Sequence, residues 1–295
     1  ELEYDLFRQI RDTIADNVFV QLHNHTHYSL LDGASKIPDL VKRAKELNMP
    51  AVGITDHGNM HGAYEMWSTA VKEGVKPIIG IEAYVTPETA RQDQTRVSWD
   101  TNWNPDIDPQ HRRRNPNDVS GGGLITHLTM WAETDEGLVN LMKASTDANL
   151  EGRVMRYPRM DKEILAKYSK GIIASSGCPS GIIQTRLLLG QFDEALRAAG
   201  ELQDIFGRDN FYIEFMDHGL KIEKQVTDGL LDIAKKLNAP LLATNDSHYV
   251  RAEDAGSQDA MLCINSGSTL DEPGRFKFDG TGYYIKTAEE MRELF

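Results

Sequence analysis

Short apolar or β-branched runs recur at residues 18–22, 51–55, 77–81, 128–132, 171–176, 211–215 and 240–244, and this pattern predicts seven strands. Between them, apolar positions return at three- and four-residue spacing over 36–47, 61–73, 135–148, 161–168, 181–206 and 222–237, which predicts amphipathic helices. Strand and helix in alternation imply an α/β fold on a parallel sheet. Seven such units favour closure into a (β/α)7 barrel over an open doubly wound sheet.

Residues 86–123 break this rhythm. The stretch is rich in Asp, Asn, Pro and Arg, contains three consecutive arginines at 112–114, and ends in three glycines at 121–123. It reads as a long inserted loop. The arginine run invites a nucleic-acid reading, but Asp100, Asp106, Asp108 and Asp118 lie among the bases, so a solvated loop of mixed charge is the plainer expectation. Near the other end, 282–286 reads as a strand, and Thr287 with Glu290 has capping-box spacing at a helix start. The chain stops within that helix, which leads us to expect a fragment of a longer protein.

Composition narrows the class. A chain of 295 residues with 40% hydrophobic and 26% charged residues is ordinary for a globular domain, and no apolar run approaches the length of a membrane span. The opening residues carry neither the basic nor the apolar stretch of a secretion signal, so a cytoplasmic location is expected. Cys178 and Cys263 could form at most one bridge, which excludes a disulfide framework. Forty-five acids against 32 bases give a net charge of −13, which on its own argues against a phosphate-backbone partner.

Chemistry concentrates where the strands end. His23 and His25 stand two apart after the first run, a spacing that lets both imidazoles reach one point from an extended segment. The second run leads into Asp56-His57, the third into Glu82, the fifth into Cys178, and the seventh into Asp246 and His248. In an α/β barrel the carboxyl ends of the strands share one rim, and imidazole, carboxylate and thiolate gathered there suit zinc or a related transition metal. Taken singly, Cys178 reads as a small buried hydrophobe, Glu82 as a carboxylate paired with lysine, and Asp246 as a turn cap. Their recurrence at five strand ends favours the metal. Cys263 reads as helix core, and His61 and His111 as solvated side chains.

These residues lie within longer motifs: His-Asn-His-Thr at 23–26, Asp32 within Ser-Leu-Leu-Asp-Gly, Thr-Asp-His-Gly-Asn-Met at 55–60, Gly-Ile-Glu-Ala-Tyr-Val at 80–85, His-Leu-Thr-Met-Trp-Ala-Glu at 127–133, Ser-Gly-Cys-Pro-Ser-Gly at 176–181, Met-Asp-His-Gly at 216–219 and Asn-Asp-Ser-His-Tyr at 245–249. In this order they resemble the N-terminal PHP (polymerase and histidinol phosphatase) domain of bacterial replicative DNA polymerase III alpha subunits, and the insertion is most similar to actinobacterial members. The resemblance runs from about Phe19 to the end. It leaves 1–17 as an extension, assigns 18–285 to the PHP domain, and makes 286–295 the start of a following polymerase region.

The resemblance implies a distorted seven-stranded barrel with up to three divalent ions on its rim, held by His23, His25, Asp32, His57, Glu82, His127, Cys178, Asp246 and His248. Asp32 and His127 come from the resemblance alone. It further implies His23, His25 and Asp246 on one ion, His127 and Cys178 on a second with Glu82 bridging, and Asp32, His57 and His248 on a third. Zinc is the first expectation from the imidazole and thiolate donors, with Mn or Fe at the carboxylate-richer positions. The implied activity is 3′–5′ exonuclease proofreading on a DNA primer 3′ end, within a subunit that also binds other replisome proteins, with no membrane partner. A structural or docking module for the polymerase or a proofreading subunit remains an alternative, as does a phosphomonoesterase resembling histidinol phosphatase. Polymerization itself is not expected of these 295 residues.

Overall fold

The computed structural model describes residues 18–104, 106 and 115–295; the 1–17 extension and the arginine run at 112–114 lie outside the described residues, as does His111. Among the described residues seven strands form, in chain order β1 (Ala51–Ile54), β2 (Lys76–Val85), β3 (Thr126–Ala132), β4 (Arg159–Met160), β5 (Ile172–Ser175), β6 (Phe211–Phe215) and β7 (Leu241–Ala243). The helices are α1 (Ile37–Glu46), α2 (Ala63–Glu73), α3 (Asp135–Glu151), α4 (Lys162–Tyr168), α5 (Ile182–Leu188), α6 (Phe192–Phe206), α7 (Lys221–Leu237), α8 (Ala255–Ser266) and α9 (Ala288–Leu294). The fold is α/β, with a seven-stranded sheet whose hydrogen-bonded order is β1-β2-β3-β5-β6-β7 and with β4 on β2. Among the described residues, no helix is long and apolar enough to cross a membrane.

Local chemistry explains most boundaries. Pro38 occupies the first turn of α1, where its missing N–H costs nothing, and Ile37, Leu40, Val41 and Ala44 form its buried stripe. Thr134 caps α3 by accepting from the Gly137 N–H, and Asp161 caps α4 by accepting from Ile164. Thr287 and Glu290 form the expected capping box at α9. Cys263 is buried on α8, and His61 is exposed.

Four expectations are corrected. The single helix over 181–206 is two, because Gly190 adopts a left-handed φ of 72° between α5 and α6. Residues 18–22 form no strand; the pairing falls a few residues later as an isolated bridge between Asn24 and Ser247. Residues 282–286 likewise make only a bridge, Tyr249 to Tyr284. The sheet is mixed and not wholly parallel: β1–β2, β2–β4 and β5–β6 run parallel, but β3 is antiparallel to β5, with Thr129 opposite Ser175 and Ala132 opposite Ile172.

The chain divides into two compact units. The first comprises Glu1–Ile81, Phe215–Leu220 and Leu241–Phe295, and the second Glu82–Glu214 and Lys221–Pro240. Within the first, residues 21–26 are clasped from two sides. The Gly53 N–H donates to the Gln21 carbonyl and the Thr55 N–H to that of Asn24, while the His25 N–H donates to the carbonyl of Ser247, beyond β7. Asn24 strengthens the clasp by donating its side-chain amide to Gln21 and Gly53 carbonyls. Gly53 permits it, since a Cβ there would stand 2.6 Å from the Leu22 carbonyl oxygen. Within the second unit, the fully buried guanidinium of Arg159 on β4 donates to the carbonyls of Arg91, Asp93, Leu124 and Gly152, tying the start of the 86–123 insertion to its neighbours.

Candidate metal centre

Six of the nine candidate ligands lie in the first unit, carried by the clasped segment (His23, His25), the turn after it (Asp32), the end of β1 (His57) and the turn after β7 (Asp246, His248). The structure gathers them into two touching groups. Asp246 Oδ1 lies 3.4 Å from His23 Nε2 and 3.1 Å from His25 Nε2. Asp32 Oδ2 is 2.7 Å from His57 Nε2, and Asp32 Oδ1 is 3.7 Å from His248 Nε2. The His25 ring joins the groups, with centroid separations of 4.0 Å to His57 and 4.3 Å to His248. One ligand atom from each of these three histidines lies within 4.8 Å of the other two.

The hydrogen-bond network fixes how His25 presents itself. The Ser29 hydroxyl donates to Asp56 Oδ1 at 2.7 Å, so its oxygen can only accept from its other neighbours. It accepts from the His57 backbone N–H and therefore also from His25 Nδ1, 3.0 Å away. The proton of neutral His25 is thus on Nδ1, and the Nε2 lone pair faces the Asp246 carboxylate. Burial, with His57 and His248 close by, lowers the His25 pKa to about 3, so at neutral pH no proton on Nε2 relieves the meeting of two acceptors. A bound cation would. His248 differs: its Nδ1 lies 2.8 Å from the Asp246 carbonyl and must donate to it, its Nε2 is directed toward Asp32, and the Asp32 and Asp246 carboxylates raise its pKa against burial.

Both carboxylates are ionised. Burial would raise Asp246, but His23 and His248 outweigh it and hold it well below the ordinary carboxylate range. Burial likewise opposes ionisation of Asp32, and His248 and His57 outweigh it. Asp32 and Asp246 in turn raise the His248 pKa against its burial, and two carboxylates among four imidazoles are a donor set suited to a divalent transition ion.

The remaining three candidates lie in the second unit. Glu82 on β2 is fully buried, its Oε2 is 3.2 Å from His127 Nδ1, and Cys178 Sγ is 3.4 Å from the same nitrogen. His127 precedes the apolar run of its strand, which hid it from a reading based on strand ends. Because β3 is antiparallel to β5, its amino end lies beside the carboxyl end of β5, where the turn carrying Cys178 begins. The turn closes on His127 directly: the His127 N–H donates to the Ser180 carbonyl, and Gly177 takes a φ of 78° where it passes the His127 carbonyl.

Some supporting residues were not singled out from the sequence. Asp56, 1% exposed, accepts from the Thr26 N–H, the Thr26 hydroxyl and Ser29, and so sets the orientation of His25 through Ser29. Its place directly before His57 was the available signal. Asn245 is bound by segment 282–286: its amide donates to the Gly282 and Tyr284 carbonyls, and Lys286 Nζ donates to its Oδ1. His218 Nε2, from Met-Asp-His-Gly, donates to the Asn245 carbonyl at 2.8 Å. Together these hold the next residue, Asp246, at a left-handed φ of 42°.

Residues 21–218 match the family model described as PHP domain, and the chain belongs to that family. The match ends before Asp246 and His248. The chain is 52% identical over 281 residues to the DNA polymerase III subunit alpha of Mycobacterium tuberculosis, and 54% identical over 277 residues to that of Saccharopolyspora erythraea. These alignments cover 95% and 94% of the chain, which spans about 23% of the length of these curated relatives. Among solved structures, an amidohydrolase from Chromobacterium violaceum superposes with a TM-score of 0.43 at 13% identity, over 79% of this chain and 88% of its own.

Proposed function

We propose that this chain is the PHP domain of a DNA polymerase III alpha subunit and that it hydrolyses the terminal phosphodiester of a DNA primer 3′ end, as a metal-dependent 3′–5′ exonuclease. The observation that carries the reading is the His25 Nε2 lone pair held against an ionised Asp246, an arrangement that calls for a cation. The identity to polymerase alpha subunits supplies the DNA context.

The proposed ligands are His23, His25 and Asp246 as one set, Asp32, His57 and His248 as another, and Glu82, His127 and Cys178 as a third, with zinc the first candidate and manganese or iron next. Divalent ions bound there would bring a coordinated water toward neutral pKa and stabilise the departing oxygen. The chain's part is to hold the donors. Ser29 and Asp56 keep the His25 proton on Nδ1, and the Asn245 network keeps the Asp246 carboxylate turned inward. The net charge of −13 is no obstacle to DNA on this reading, because the ions add positive charge at the point of contact. The rest of the subunit and its replisome partners follow as the proposed setting, in the cytoplasm.

Primers labelled at the 5′ end test the polarity. With metal added, the expected products shorten one nucleotide at a time from the 3′ end, and a chelator stops the reaction. Release of inorganic phosphate from 3′-phosphorylated primers with no shortening would point to a phosphomonoesterase. No hydrolysis at full metal occupancy would leave the structural or docking role.

A further inference from the structure

Beside the ligands of the first unit lies a cavity of about 330 Å³, between the amino-terminal half of α8 and the loop of residues 275–281. Three of its lining residues are joined to the candidate metal centre. Phe278 sets its ring edge-on to His248 at 4.7 Å, the buried Gln258 amide donates to the Asp32 carbonyl, and Tyr249 follows His248 in sequence. The loop is pinned to α8 by a two-pronged pair in which Arg275 Nη1 and Nη2 each lie 2.6 Å from a carboxylate oxygen of Asp259.

The lining combines an aromatic ring, a lysine and an amide, with the Asp259 carboxylate engaged by Arg275. Phe276, next to the cavity and edge-to-face with Phe278, is 61% exposed, which leaves its ring face accessible. Lys277, between the two phenylalanines, lines the cavity, is exposed, and makes no ion pair among the described residues. Gln258 spends one N–H on Asp32 and retains a second N–H and a carbonyl oxygen for an edge of the ligand. The volume is at the small end for ligand pockets, which suits one nucleotide and not a run of them.

We propose that this cavity receives the terminal base of a single-stranded nucleic-acid 3′ end, stacked on Phe276 with Phe278 edge-on to it and its phosphate beside Lys277. Stacking on phenylalanine tolerates every base, as removal of an arbitrary terminal nucleotide requires. The inference rests on the hydrolytic reading above, since it seats the base next to the phosphodiester to be cut.

Gly256 offers a way to close the cavity. It lines the space on the first turn of α8, and a Cβ added there meets nothing within 4 Å, so Gly256→Leu fills the cavity while improving helix propensity. The probe is an oligodeoxynucleotide with 2-aminopurine at its 3′ terminus and a phosphorothioate last linkage, bound by the full 295-residue chain with metal present. Stacking is expected to quench the 3′-terminal fluorophore and to leave a 5′-terminal one unchanged. Gly256→Leu is expected to remove the quench, and Phe276→Ala to weaken binding roughly 10-fold, each with the thermal midpoint retained. Equal quenching at both ends, no quenching at the 3′ end, or a quench indifferent to both variants would overturn the proposal. Hydrolysis of an unmodified primer without a terminal quench would refute the cavity alone. A terminal quench with no hydrolysis would refute the hydrolytic reading and leave the cavity standing.

Discussion

Asp246→Asn is expected to lower metal-dependent primer hydrolysis by at least about 100-fold, and to cost the metal-free chain only the part of its stability that the depressed Asp246 pKa represents. The substitution isolates charge from backbone. Asp246 has a φ of 42°, and asparagine is the residue that accepts left-handed φ most readily after glycine, so the turn after β7 keeps its shape. What changes is the group facing His23 and His25, from an ionised carboxylate to a neutral amide. Thermal melts separate the two effects. A metal at 100 times its dissociation constant stabilises the parent by about 2.7 kcal/mol per site, and that gain should be lost in the variant. His25→Ala should abolish hydrolysis as well, but it also opens a cavity among packed rings and removes a donor to Ser29, so some loss of metal-free stability is expected with it. A variant that keeps both hydrolysis and the metal-induced shift would remove Asp246 from the centre.

The second large effect concerns a residue far from any proposed ligand role. Arg159→Met should destabilise the second unit by roughly 3–5 kcal/mol, the range for stranding buried polar groups from a charged partner. The guanidinium is fully buried, and its charge is met by carbonyl dipoles: Arg91 at 2.7 Å, Asp93 at 2.8 Å, Gly152 at 3.2 Å and Leu124 at 3.4 Å. Methionine fills much of the volume but donates nothing, leaving four carbonyls without this donor. Arg159→Lys should recover less than half of the loss, because one ammonium cannot span acceptors arranged for a planar fork. Thermal midpoints check both variants, and a shift under about 2 °C for Arg159→Met would contradict the assignment.

The candidate ligands are more legible in the sequence than the framework that positions them. Donors such as His23, His25, Cys178 and Asp246 stand out because residues of that chemistry recur at the ends of apolar runs. His127 did not, because a reading that assumes parallel strands looks for ligands only after each run, and β3 runs the other way. The two-residue β4 is too short to show any periodicity, although its Arg159 anchors the insertion. The support given by Asp56 to Ser29, and through it to His25, depends on contacts between residues 27 positions apart, and no spacing rule reaches that far. Gly190 could have been read as a helix break, but a lone glycine is also tolerated inside a helical pattern, so it does not by itself mark the boundary.

The central claim is that a divalent ion held by these residues performs phosphodiester hydrolysis at a DNA 3′ end. The most direct measurement is stepwise reconstitution: metal-free chain receives zinc or manganese in substoichiometric additions, and bound metal and primer 3′-end hydrolysis are followed in the same samples. Activity should rise from nil in proportion to occupancy of the first unit's ligands. Full occupancy without hydrolysis, or hydrolysis by the metal-free chain, would contradict the account.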